Sequence, residues 1–137
     1  MLAAPLAAPA RDLGLGPSGI LAAANREELA PLTIASGKAV SQGAYDLTSG
    51  TYYDLTIRAD GTTQQKLLGA EFFRAVWVDK IQTESGTLYP VGLSGVQMED
   101  EAEITISFVA ILPGRYVLEI PGARGDRQRA IFTITGR

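Results

Sequence analysis

From about residue 33 onward the chain alternates apolar and polar positions. In TYYDLTIRADG, residues 51–61, Tyr53, Leu55, Ile57 and Ala59 fall on one face while Asp54, Thr56 and Arg58 fall on the other. That is the two-residue period of a half-buried β-strand. Tyr52 falls with the polar set, on the outward face. EITISFVAI, residues 103–111, repeats the pattern through Ile104, Ile106, Phe108 and Ala110, as do Tyr116, Leu118 and Ile120, then Ala130, Phe132 and Ile134. RAVWVDKIQ, residues 74–82, reads as a more fully buried strand and contains the only tryptophan, Trp77. Turn pairs recur at Ser49-Gly50, Asp60-Gly61, Ser85-Gly86, Ser94-Gly95, Pro113-Gly114 and Pro121-Gly122. Short strands at this spacing, with no long helical pattern between them, predict an all-β fold: an antiparallel Greek-key β-sandwich of about seven or eight strands over 33–137.

Ahead of residue 33 the pattern differs. Residues 1–24 are rich in Ala, Pro, Gly and Leu and carry almost no charge. Leu13, Leu15, Ile20 and Leu21 make this stretch more apolar than a solvated linker, so they are expected to lie against the domain or against a partner. NREEL, residues 25–29, has the signature of a capped helix near 25–30, with Asn25 as cap and Glu28 three residues on. Pro31 ends it. The expected organisation is an extended apolar tail over 1–32, carrying that short helix, and a sandwich domain over 33–137. No apolar run approaches about 18 residues, so no transmembrane segment is expected. The first ten residues resemble the trailing end of a secretory signal without its basic start, so a signal peptide, if one existed, is expected to have been removed.

Composition narrows the chemistry. Hydrophobic residues make up 46% and charged residues 20% of the 137, enough to bury a core and too apolar for a disordered chain. Net charge is −3 with three lysines, and no basic stripe is visible to neutralise phosphates, so nucleic acid is not an expected partner. The chain has no cysteine and no histidine. Disulfides, thiol nucleophiles, Ser-His-Asp and Cys-His pairs, zinc sites of the usual kind and haem ligation by histidine all need one or the other. No enzymatic activity and no cofactor are expected.

Three stretches could carry binding. QMEDEAE, residues 97–103, concentrates Glu99, Asp100, Glu101 and Glu103, the oxygen ligands a calcium-type ion takes. Its spacing matches no EF-hand loop, and such a run is more often a solvated loop before a strand. ARGD, residues 123–126, followed by Arg127 and Arg129, makes a locally basic loop in an acidic protein, suited to a carboxylate or an anionic partner patch through Arg124 and Arg127. EFFRAVWV, residues 71–78, packs Phe72, Phe73, Arg74 and Trp77 together. Aromatics with arginine anchor interfaces, and they also build sandwich cores. In an extended segment Phe72 and Phe73 point opposite ways, which would leave one exposed.

FVAILPGRYVLEIPG, residues 108–122, resembles the C-terminal signature of cupredoxins, in which a strand leads through Pro-Gly into a second strand and a Pro-Gly loop. The resemblance implies a cupredoxin-like sandwich. It would place a cysteine near Ile120, a histidine near Ala123, a methionine near Gln128 and an upstream histidine close to Glu71, Phe72 and Phe73. None of these positions carries a ligand type, so copper-dependent electron transfer is not implied. GTYYDLTIRADG and EFFRAVWVDKI are similar to copper-free cupredoxin-like proteins exported by bacteria, which implies a periplasmic or otherwise exported location. The function expected is that of a non-catalytic accessory or structural subunit docking onto a larger protein assembly, or onto further copies of itself. Its contacts would come from Phe72, Phe73, Arg74, Arg124 and Arg127 in the sandwich and Leu13, Leu15, Ile20 and Leu21 in the tail. The alternative is a periplasmic protein binding a small ligand or a calcium-type ion.

Overall fold

The longest ladder in the computed structural model joins β4 (Tyr52–Asp60) to β9 (Glu101–Ala110), antiparallel from Tyr52↔Val109 to Asp60↔Glu101. The structure describes residues 19–122 and 125–136. Leu13, Leu15 and Arg124 therefore lie outside the described residues. Both long strands alternate as their sequences require, with Tyr53, Leu55, Ile57 and Ala59 of β4 and Ile106, Phe108 and Ala110 of β9 buried in one core.

Around this ladder the first sheet adds β6 (Val76–Thr83) and β7 (Gly86–Leu88) beyond β9. On the other edge of β4 it adds β1 (Arg26–Glu28) and β2 (Leu32–Ile34), one after the other. The second sheet runs in the order β3 (Tyr45–Thr48), β11 (Arg129–Thr135), β10 (Gly114–Glu119), β5 (Gln65–Leu68) and β8 (Gly95–Met98). A single helical turn, α1 (Ala70–Arg74), carries the chain from β5 in the second sheet to β6 in the first.

The described residues hold eleven strands, not seven or eight. The additional ones are three or four residues long, too short to show an alternation. The sheets are also mixed. Antiparallel ladders form most of both sheets, whereas β1 and β2 run parallel to β4, and β3 runs parallel to β11.

The capped helix expected near 25–30 is replaced by a 3-10 turn over Ala23–Asn25 and the strand β1. A segment this short cannot meet the cost of helix nucleation alone, and the open edge of β4 offers its backbone a ladder instead. Asn25 is buried and caps no helix. Its Nδ2 donates to the carbonyls of Ile20 at 2.8 Å and Gly50 at 2.9 Å. Leu29 and Leu32 belong to the core, so the sandwich begins at Arg26, inside the stretch that reads as tail.

Phe72 and Phe73 are both buried, which removes them from the set of partner contacts. In an extended strand adjacent side chains would diverge. In α1 consecutive side chains sit about 100° apart, so both rings turn inward. Phe72 stacks on Phe132 at 4.5 Å between ring centres and meets Phe108 edge-on at 5.5 Å.

Candidate functional site

Two features at opposite ends of β4 stand apart from the core. The first is on the outer face of the first sheet. There β4 and β9 form cross-strand polar pairs: Ser107 Oγ donates to Asp54 Oδ1 at 2.5 Å, Thr56 and Thr105 share a hydrogen bond at 3.0 Å, and Arg58 Nε donates to Glu103 Oε2 at 2.9 Å. These pairs stitch the ladder on the face away from the core.

At the Tyr52 end the face becomes apolar and covered. Tyr52, which reads as an outward residue, is fully buried. The Arg26 guanidinium sits 4.2 Å from its ring centre, and its hydroxyl donates to Asp79 Oδ2 at 2.6 Å. A bulge between Val78 and Lys80 takes Asp79 out of the ladder register, which allows this contact. Burial, reinforced by the bond to the Asp79 carboxylate, pushes the Tyr52 phenol up to about 12.

Beside Tyr52 lies an apolar groove of about 550 Å³. Ile20 and Leu21 form one wall, with Ser49, Gly50, Trp77, Val109, Ala110 and Ile111 forming the rest. Leu21 is 57% exposed, Trp77 47%, Ile111 45% and the adjacent Leu112 53%. The alternation of β6 assigns Trp77 to the outer face, next to Val109 in the ladder, so this strand is not buried on both sides as its sequence suggests.

The second feature is a cavity of about 640 Å³ at the other end of the sandwich, about 25 Å along β4 at the rise of a strand. Ile34, Ala35, Val40 and Ile120 line its apolar side. Ser36, Lys38, Thr63, Gln65, Arg127 and Gln128 line its polar side.

The residues singled out from sequence therefore do not form one surface. Ile20 and Leu21 join Trp77 at the groove. Arg74 is exposed and paired with Glu71 within α1. Arg127 is at the distant cavity, where its Nη2 donates to the Gly37 carbonyl at 3.1 Å. Of the positions that the resemblance gives to copper ligands, Ala123 lies outside the described residues, Ile120 and Gln128 line the cavity, and the Phe72 ring is buried 6.5 Å from the Tyr116 ring. Glu99, Asp100, Glu101 and Glu103 are exposed, and no three carboxylates gather into a possible cation site among the described residues. Trp77 as a surface residue, and Ile111 and Leu112 beside it, are what sequence reasoning missed. The unbroken apolar run Phe108–Leu112, longer than alternation needs, is the signal that could have found them.

Two mixed sheets packed face to face in this order make the chain a cupredoxin-like β-sandwich, and its sequence supplies none of the Cys and His ligands of the copper-binding kind. In particular, it is similar to a copper nitrite reductase from Nitrosomonas europaea, with TM-score 0.53 and 11% identity over 69% of this chain and 33% of that one. It is also similar to a copper-containing nitrite reductase from Thermus scotoductus, with TM-score 0.50 and 13% identity over 66% of this chain and 22% of that one. The chain thus spans a third or less of these enzymes, and at such identity the likeness concerns the fold. No family model matches the chain, and no curated protein matches it. No helix among the described residues is long and apolar enough to cross a membrane.

Proposed function

We propose that this protein is a non-catalytic, exported accessory or structural subunit that docks onto a larger protein assembly. The observation that carries the reading is the groove: Leu21, Trp77, Ile111 and Leu112 place four large apolar side chains together at the surface beside a rigid, hydrogen-bonded sheet. A tryptophan ringed by aliphatic side chains is the composition of an interface anchor. Leu13 and Leu15 come a few residues before Leu21 in the sequence as further apolar contacts for this reading, and two modest contacts on one chain bind more tightly than either alone. The carboxylates that could serve acid–base chemistry are otherwise engaged, Asp79 by Tyr52, Asp54 by Ser107 and Glu71 by Arg74. Export is supported by the resemblance to exported copper-free relatives of the same sandwich.

The reading is tested on complexes isolated from the native source. A photo-crosslinking residue at position 77 should join the protein to one defined partner, while the same residue at Arg115 should not. Trp77→Ser should leave the melting temperature unchanged and release the protein from that complex. If wild-type protein from its source runs as a monomer, or Trp77→Ser stays bound, the docking role fails.

A further inference from the structure

We propose that the cavity between β2, the start of β5, Ile120 and the segment 125–128 binds a small organic carboxylate. The first support is an imbalance of donors over acceptors. Lys38 and Arg127 both line the cavity, and neither takes part in an ion pair among the described residues, whereas Arg58, Arg74 and Arg129 each do. Thr63 Oγ1 accepts from Gln65 Nε2 at 3.2 Å, which leaves its own hydrogen to donate. No carboxylate is among the lining residues described. The carboxylate that feels the Lys38 charge is Asp60, whose Oδ1 is already taken by the Thr62 amide at 2.9 Å and the Thr62 hydroxyl at 2.6 Å. Those bonds, with a smaller contribution from the Lys38 charge, hold Asp60 ionised below its ordinary range.

The second support is that Arg127 is held in place. The bond from Arg127 Nη2 to the Gly37 carbonyl sets the guanidinium beside the residue that precedes Lys38. The Val40 amide donates back to the Arg127 carbonyl at 2.8 Å, so the two segments clamp each other. Gly37, at φ 76°, makes the left-handed turn that brings Lys38 round. One donor of Arg127 is used in this clamp, and the planar fork retains others for a carboxylate.

The third support sets the rest of the ligand. Ile34, Ala35, Val40 and Ile120 form a wall that favours hydrocarbon, and the volume lies within the range of small-molecule sites. A cationic rim over an aliphatic wall selects an acid with an apolar body over a bare inorganic anion.

The test is an NMR titration of the full chain with acetate, butyrate, hexanoate and inorganic phosphate at constant ionic strength. Shifts should localise to amides of residues 36–40 and 125–128. Affinity should rise by ~4-fold per added methylene, so hexanoate should bind at least ~10-fold more tightly than butyrate. Lys38→Gln, whose side chain makes no described hydrogen bond, should weaken hexanoate by at least ~10-fold with an unchanged melting temperature. Arg127→Gln should do the same even where it loosens the 37–40 turn. The proposal is overturned if hexanoate binds no better than acetate, if phosphate matches hexanoate, or if Lys38→Gln leaves the affinity unaltered.

Discussion

Replacing Phe72 by alanine separates the two roles its sequence allows. Its ring is fully buried and touches four others: Phe132 at 4.5 Å, Phe73 at 5.2 Å, Phe108 at 5.5 Å and Tyr116 at 6.5 Å. Three of those partners come from strands, Phe108 in the first sheet and Tyr116 and Phe132 in the second, so the ring is the wedge on which both sheets close. Truncation removes the whole side chain from water-free packing and leaves a cavity that α1, tethered at both ends, can fill only in part. Buried Phe→Ala changes cost about 3–5 kcal/mol, a figure that already includes the ring contacts. At about 4 °C per kcal/mol for a domain of this size, the melting temperature should fall by about 12–20 °C. Urea unfolding followed by far-UV circular dichroism measures this directly, and the slope should stay at the wild-type value if the native state is otherwise intact. Trp77→Ala, on the exposed groove, should cost no more than about 0.5 kcal/mol in the same assay. A loss below about 1 kcal/mol for Phe72→Ala would refute the wedge and return Phe72 to the surface as a partner contact.

Other expectations follow from the same contacts. A phenol raised to about 12 from an unfolded value of 10.0 stabilises the fold fully below pH 10 and loses that contribution as pH rises through 12, so stability should decline in that window. Tyr52→Phe should flatten part of the decline in pH-dependent urea melts, the remainder belonging to Tyr45 and Tyr53, which burial also raises. Gly95→Ala should cost about 1–3 kcal/mol by calorimetry, because its Cβ would run into the Leu67 backbone carbonyl across the β5–β8 ladder. Asn25→Ala leaves the Ile20 and Gly50 carbonyls without its amide and should cost about 1–3 kcal/mol, with faster hydrogen exchange over 20–25 as its local mark.

The strands that were legible in the sequence are those whose own side chains dictate them. β4, β9, β10 and β11 alternate apolar and polar residues over six to ten positions, and each appears where its pattern puts it. β1 reads Arg-Glu-Glu and carries no pattern at all; it is a strand because the edge of β4 was open, a fact stored dozens of residues away. Alternation also tells which face a residue takes but not what covers that face. Hence Tyr52 and Trp77, both on the outer side of one sheet, end with opposite fates. The chain from Gly19 to Arg26 crosses above Tyr52 and stops short of closing over Trp77. The bulge that frees Asp79 has no signal in the sequence, and the inward turn of both phenylalanines depends on a helical turn of only five residues.

The position of β11 has a consequence for how the molecule is made. It is the middle member of three, between β10 and β3, and among the described residues β3 has no other neighbour in its sheet. Tyr45 of β3 stacks on Phe132 of β11 at 4.8 Å, so its ring also waits for that strand. While the ribosome is still reading the codons before residue 129, β3 has nothing to pair with, and the second sheet is an open hairpin partner in search of a centre. Pairing of β3 thereby waits until β11 has been made, since long-range pairings of this kind cannot form until both segments exist. A chain cut short before β11 would leave the β3 edge unpaired and the Tyr45 ring without its stacking partner, which are the exposed features by which quality control removes unfinished chains.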